Sequence, residues 1–115
     1  MKKLEEHSGS LATAAVVWSD LVYGVQRLPE GQRRTTIEQY LVALQSSDLQ
    51  VLPYDLEGAD WHGRERARLA GVGATRPFVD GQIAAVAWRN GLTLVTRNTK
   101  DFENYEGLEV RNWFV

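Results

Sequence analysis

Asp20, Asp80 and Asp101 are the acidic residues whose setting suggests chemistry. Asp20 sits beside Trp18, Leu21 and Val22, Asp80 opens an alanine-rich segment, and Asp101 closely follows a β-branched one. Carboxylates are hard oxygen donors, and a cluster of them selects Mg2+ or Mn2+. An ion so held acidifies a bound water and stabilises charge on a phosphate, so the chemistry such a cluster serves is phosphodiester hydrolysis. No protein nucleophile is then required, in keeping with a chain that has no cysteine. Each residue also has a purely structural reading. Aspartate is a favoured N-cap, which suits Asp80 equally well. Asp101 and Asn98 suit a turn, and Asp20 can stand on a solvated helix face, because adjacent helical residues point in different directions. Neither His7 nor His62 has an evident partner at ligand spacing.

The elements that must position these residues follow from periodicity. Residues 2–7 resemble the polar end of a helix, stopped by Ser8, Gly9 and Ser10. Residues 11–14 form an apolar stretch short enough for a buried strand. From Ala15 the spacing turns helical, with Val17, Leu21 and Val25 recurring at four, until Pro29 and Gly31 end it. A second helix is expected over 32–46, with Ile37, Tyr40, Leu41 and Leu44 as its buried stripe. Residues 50–52 read as a short strand closed by Pro53, and Asp55 as the N-cap of a helix reaching about Ala70. Ala59, Trp61, Ala67 and Leu69 are that helix's candidate buried positions. The alanine-rich helix follows Asp80, residues 92–96 make a β-branched strand, and a loop over 97–105 leads to a last strand near 108–110. Helices alternating with short apolar strands indicate an α/β fold with a parallel sheet. In such sheets, loops at the carboxyl ends of strands gather at one edge, where Asp80 and Asp101 can converge.

Composition bounds the function. At 115 residues, with 43% hydrophobic and 24% charged, the chain has the length and balance of one globular domain. The net charge of -2 leaves no overall electrostatic footprint for nucleic acid, so any such contact requires segregated charge. Arg33 with Arg34, the series Arg64, Arg66 and Arg68, and Arg76 and Arg97 flanking the acidic positions are the available cations; most read as solvated helix faces. The apolar run 11–18 is far short of a membrane span and residues 1–6 hold no apolar stretch, so a cytoplasmic protein is expected. No glycine-rich loop of nucleotide-binding type occurs.

Three passages together resemble the VapC group of PIN-domain toxins: residues 14–25 (AAVVWSDLVYGV), 77–87 (PFVDGQIAAVA) and 92–102 (LTLVTRNTKDF), with Gly107, Leu108, Asn112 and Trp113 closing the chain. They span nearly the whole sequence, and the second and third are the specific ones. The resemblance implies a three-layer α/β sandwich with a mostly parallel sheet. It implies an endoribonuclease dependent on Mg2+ or Mn2+, commonly acting on tRNA or other structured RNA. It also implies a homodimer silenced by a VapB antitoxin. Matching motifs carry the family's catalytic, metal-holding acids onto Asp20, Asp80 and Asp101, and its polar support onto Thr96 and Asn98. In some members the last acid falls at the position of Asn98.

The sequence departs from this pattern twice. Position 20 usually carries glutamate, and aspartate is one methylene shorter. Members of the group also open with a strand ending in Asp-Thr/Ser-Asn, which residues 1–10 do not match. The resemblance therefore implies one incomplete PIN domain over residues 1–115, lacking the usual first strand and a central carboxylate. Weakened or lost cleavage is one expectation; the alternative is a non-cutting PIN-like module that binds an antitoxin or another copy. The absent strand is central in the family sheet and would leave two inward edges unpaired. The chain is expected to close the gap by rearranging its sheet or by pairing with a second copy.

Overall fold

The computed structural model describes residues 3–5 and 11–112; His7 and Trp113 lie outside them. The chain passes from β1 (Lys3–Glu5) to β2 (Leu11–Ala14) and directly into α1 (Ala15–Gln26). It continues through α2 (Gln32–Gln45), β3 (Gln50–Leu52), α3 (Leu56–Gly71), α4 (Phe78–Arg89) and β4 (Thr93–Val95). A 3-10 turn (Thr99–Asp101) then leads to β5 (Val110–Arg111). The result is an α/β fold whose sheet runs in the order β3-β2-β1-β4-β5. β2 pairs with β3 and β4 with β5 in parallel, and β1 is antiparallel to both β2 and β4. Four strands therefore point the same way, as expected of a mostly parallel sheet, and β1 alone runs against them.

β1 corrects the expectation of a helix end over residues 2–7. Lys3–Glu5 instead fills the central position, Leu4 pairing with Ala12 on one side and with Leu94 on the other. The reason lies in the neighbours. β2 and β4 would otherwise face each other with unpaired amides and carbonyls, each costly if left without partners. That demand outweighs the local preference of a Lys-Leu-Glu segment. Its direction is set by connection length. Five residues, 6–10, separate β1 from β2. Such a link suits an antiparallel hairpin, whereas a parallel pair needs a crossover of about a dozen residues or more.

α1 starts where expected and buries Val17 and Val25. α2 forms over the expected span but buries no residue, and Tyr40 is 63% exposed, so the predicted stripe there is not a core face. α3 is capped as read: Asp55 Oδ1 accepts a hydrogen bond from the Gly58 amide at 2.8 Å, and Arg89 donates to its other oxygen at 3.1 Å. Its buried face differs from the expected one. Gly58, His62, Glu65 and Leu69 are buried while Ala67 is exposed. The spacing four, three, four is regular, but two of the four residues are polar, which hides the face from a purely apolar pattern. α4 buries Ile83, Ala84, Ala85, Val86 and Ala87 and packs against α1, α3, β2 and β4. Its alanines permit that close approach. Trp61 of α3 stacks on Trp88 of α4 with centroids 5.1 Å apart.

The tightest point between α3 and α4 is Gly81 against His62. A methyl group on Gly81 would overlap the imidazole, coming within 2.6 Å of its Cδ2 atom. Gly24 of α1, by contrast, has open space around its Cα. Gly81→Ala is expected to lower stability by about 1–3 kcal/mol through overpacking. Gly24→Ala should raise it by roughly 0.5–1 kcal/mol through helix propensity. Urea midpoints of the two variants check this. Equal stability of Gly81→Ala and the parent would show that the ring yields without cost.

Candidate functional site

The carboxyl ends of β2, β3, β4 and β5 share one edge of the sheet, and the three aspartates are delivered toward it by different routes. α1 leaves β2 without a linker, so Asp20 lies in its second turn; its side chain is exposed. α4 joins the amino end of β4 through the short turn 90–92, and it packs back along that strand. This carries its first turn, with half-buried Asp80, to the opposite, carboxyl end. Asp101 closes the 3-10 turn that follows β4 and is also half-buried. Asp80 is not the N-cap. Pro77 holds that position, and Asp80 is the third helical residue, where the helix dipole favours an anion.

The loop after β4 is held by its own polar atoms. Thr96 is 1% exposed, and its Oγ1 accepts a hydrogen bond from the Asn98 amide at 3.1 Å. Its own amide donates to the Arg111 carbonyl at 3.0 Å, tying the loop to β5. The Asn98 carbonyl accepts from the Asp101 amide at 3.0 Å. Thr96 and Asn98 thus fix the backbone from which Asp101 projects. Tyr105, nearly buried beyond that turn, feels the Asp80 charge: burial first, then Asp80, raises its phenol above the ordinary range. Asp80 and the segment after β4 are therefore electrostatic neighbours.

A second polar group lies beneath Asp80, and sequence reading had missed it. His62 is 1% exposed, and its Nδ1 shares a 2.8 Å hydrogen bond with the Tyr54 hydroxyl. Its Nε2 is buried with no partner among the described residues and faces Gly81, next to Asp80. Burial, followed by the nearby Arg66 charge, pushes the imidazole pKa down. Three residues on, Glu65 is clamped by Arg68 through two hydrogen bonds, at 2.8 and 3.1 Å, and accepts the Glu106 amide at 2.9 Å. The Arg68 contact, first among its causes, holds Glu65 below the usual carboxylate range. Arg68 also donates to the Asn104 carbonyl at 2.6 Å, so α3 anchors the turn carrying Tyr105. The sequence signal was the regular spacing of 58, 62, 65 and 69.

Comparison with known proteins fixes the family. The PIN domain family matches residues 1–108. The chain belongs to the PIN-domain family. This PIN domain is 32% identical over 107 residues to the tRNA(fMet)-specific endonuclease VapC of Shigella flexneri, covering 93% of this chain and 78% of that protein. It is similar in structure to a chain of the DNA-bound VapBC of Salmonella typhimurium, with a TM-score of 0.75 and 28% identity over 89% of this chain and 74% of that one. FitAcB of Neisseria gonorrhoeae matches with a TM-score of 0.77 and 27% identity, over 89% and 75% of the two chains.

A divalent ion is the group this family's chemistry implies, and the donors of this PIN domain meet the requirement only in kind. Asp20, Asp80 and Asp101 offer the hard oxygens that Mg2+ or Mn2+ prefers. Among the described residues, however, no three acidic or imidazole groups converge closely enough to hold a metal ion. In the backbone register of the sheet, Lys3 of β1 stands opposite Val95. The residues present do not compose a preformed site.

The buried histidine makes stability depend on pH. In the unfolded chain His62 takes up a proton below about pH 6.5, while in the folded chain its lowered pKa keeps it neutral. The unfolded state then binds more protons, so stability is fully present above about pH 6.5 and falls as pH drops toward the folded value. Denaturation midpoints between pH 5 and 8 are expected to show this decline below about pH 6.5. His62→Gln should flatten it, and a decline that persists unchanged in that variant would assign it to other groups.

Proposed function

We propose that this PIN domain, a single unit spanning the chain, is an RNA-hydrolysing toxin of the VapC type, acting in the cytoplasm and silenced by a VapB-like antitoxin. The supporting observation is that Asp80, in the first turn of α4, and Asp101, in the turn after β4, both lie toward the carboxyl edge of a largely parallel sheet, where ligands of such folds bind. The likeness to the VapC endonuclease of Shigella flexneri supports the reaction class. Asp20, Asp80 and Asp101 are the proposed catalytic and metal-holding carboxylates, supported by Thr96 and Asn98. Mg2+ or Mn2+ is the ion class their oxygens select. Cleavage is expected to be weak, because among the described residues no three acidic or imidazole groups cluster and Asp20 is exposed. The full chain with end-labelled RNA and Mn2+ should give cleavage that a chelator stops. Asp80→Asn should slow it by about a hundredfold. Undiminished cleavage by that variant would place the chemistry elsewhere.

The lack of a three-group cluster favours one competing reading, a PIN-like module that binds without cutting. A parent chain that cleaves no RNA at any metal concentration would establish that reading in place of the first.

The antitoxin reading draws on α2. This helix buries no residue of its own chain, and Tyr40 and Val42 are 63% and 61% exposed. On the adjoining α1, Val22 and Tyr23 are exposed too. Helices gain most of their stability from packed apolar faces, so this surface suits a partner. The structural neighbour from Salmonella typhimurium is a VapBC assembly, which points to a VapB-like chain as that partner, with a second copy of this chain as the other occupant. Tyr40→Glu combined with Val42→Glu is expected to weaken antitoxin binding at least about tenfold while helix content by circular dichroism stays unchanged. Sedimentation of the same variant alone reads self-association. Unaltered antitoxin affinity would exclude this face.

A further inference from the structure

α3, the linker before α4 and the segment after the 3-10 turn enclose a cleft of about 350 Å³ that neither the acidic edge nor the α1–α2 face accounts for. Ala67, Leu69 and Ala70 form its apolar wall, and Arg66, Thr75, Arg76 and Tyr105 supply its polar groups. No acidic residue lines it among the described residues. Among the described residues, neither of its two guanidinium groups pairs with a carboxylate. Arg64 pairs with Asp60, and Arg68 with Glu65 and Glu106. Arg66, between them in sequence, instead lies over the Phe78 ring with its Cζ 4.8 Å from the centroid. The Nε of Arg76 is buried and has no acceptor among the described residues. An unmet buried donor on a cation is costly, and a second cation lines the same cleft, so the lining favours an anion over a neutral group.

We propose that this cleft holds a backbone phosphate of a single RNA strand, with Arg66 and Arg76 as its binding residues. Guanidinium groups match phosphate oxygens with paired N–H donors, and the hydroxyls of Thr75 and Tyr105 add neutral donors at the same place. Tyr105 keeps its proton at neutral pH, since burial raises its pKa, and so remains a donor. Position selects a strand over a free anion. Arg76 is four residues ahead of Asp80, and Tyr105 both lines the cleft and feels the Asp80 charge. A phosphate seated there leaves its neighbours along the strand within reach of the acidic edge. In a chain of net charge -2, this is the local cation cluster that RNA contact requires.

The inference rests on the nuclease reading for its choice of RNA, but its test does not use cleavage. Fluorescence anisotropy of a labelled ten-nucleotide single-stranded RNA, in chelator and at several salt concentrations, reads binding by the full chain. Arg66→Gln and Arg76→Gln are each expected to weaken binding roughly tenfold. Each should also reduce the slope of log affinity against log salt by about 0.7. Arg33→Gln, on α2, should change neither, and Arg76→Lys should retain the slope. Arg66 is exposed, so its substitution leaves the fold intact even if Arg76→Gln does not. A double variant with the parent's affinity and slope would overturn the proposal. So would inorganic phosphate, titrated at fixed ionic strength, binding the cleft without being displaced by RNA, which would assign it to a free anion. RNA binding through these arginines without cleavage would sink the nuclease reading alone, and cleavage indifferent to them would sink this one alone.

Discussion

Backbone pairing at the centre of the sheet is the constraint on which this molecule depends. β2 and β4 point the same way but do not touch; only the three residues of β1 join them. Without that strand the sheet is two parallel pairs with facing, unsatisfied edges. With it, each inner strand is paired on both sides. The short link to β2 leaves β1 one direction, against its neighbours. Continuity of the sheet and its central register are thus coupled: the same reversal that completes the ladder sets Lys3 opposite Val95 in the backbone register.

The second determinant is the contact of α3 with α4. Gly81 lets the buried imidazole of His62 lie directly against the turn that presents Asp80. Glu65 and Arg68, on the same helix, fasten the turn that carries Tyr105. One helix therefore sets the height of Asp80 from below and the position of its electrostatic neighbour from the side. The buried polar atoms on α3 are costly unless partnered, and most of them are partnered. Their placement ties stability to the geometry of the acidic edge.

Much of this was legible in the sequence. Residues 11–14, 50–52 and 32–45 carried their structure in local pattern, and Asp55 announced a cap that the Gly58 amide confirms. β1 was not legible, because nothing in Lys-Leu-Glu favours a strand; the demand came from residues distant in sequence. The face of α3 was not legible, because His62 and Glu65 take core positions that an apolar count assigns to other residues. α2 displays the converse failure. Its spacing is that of a buried stripe, yet Tyr40 stays exposed, since periodicity shows that a face exists and not what covers it. The acidic residues were proposed by motif, but the exposure of Asp20 and the lack of a three-group cluster among the described residues depend on tertiary placement that motif alone does not carry.

Charge segregation reconciles a mildly acidic chain with the polyanionic substrate proposed for it. Several of its arginines are neutralised locally: Arg34 by Glu38, Arg64 by Asp60, Arg68 by Glu65, Arg89 by Asp55 and Glu57, and Arg111 by Glu109. Such surface pairs add little stability each, but they remove positive potential from most of the molecule. Arg66 and Arg76 share a cleft whose described lining holds no carboxylate. A strand held there, as proposed, approaches the acidic edge from a side lined by cations. The acids themselves repel phosphate unless a cation intervenes, so affinity and chemistry must be supplied by different residues. The α3–α4 linker, only six residues long between Gly71 and Phe78, keeps those two roles adjacent.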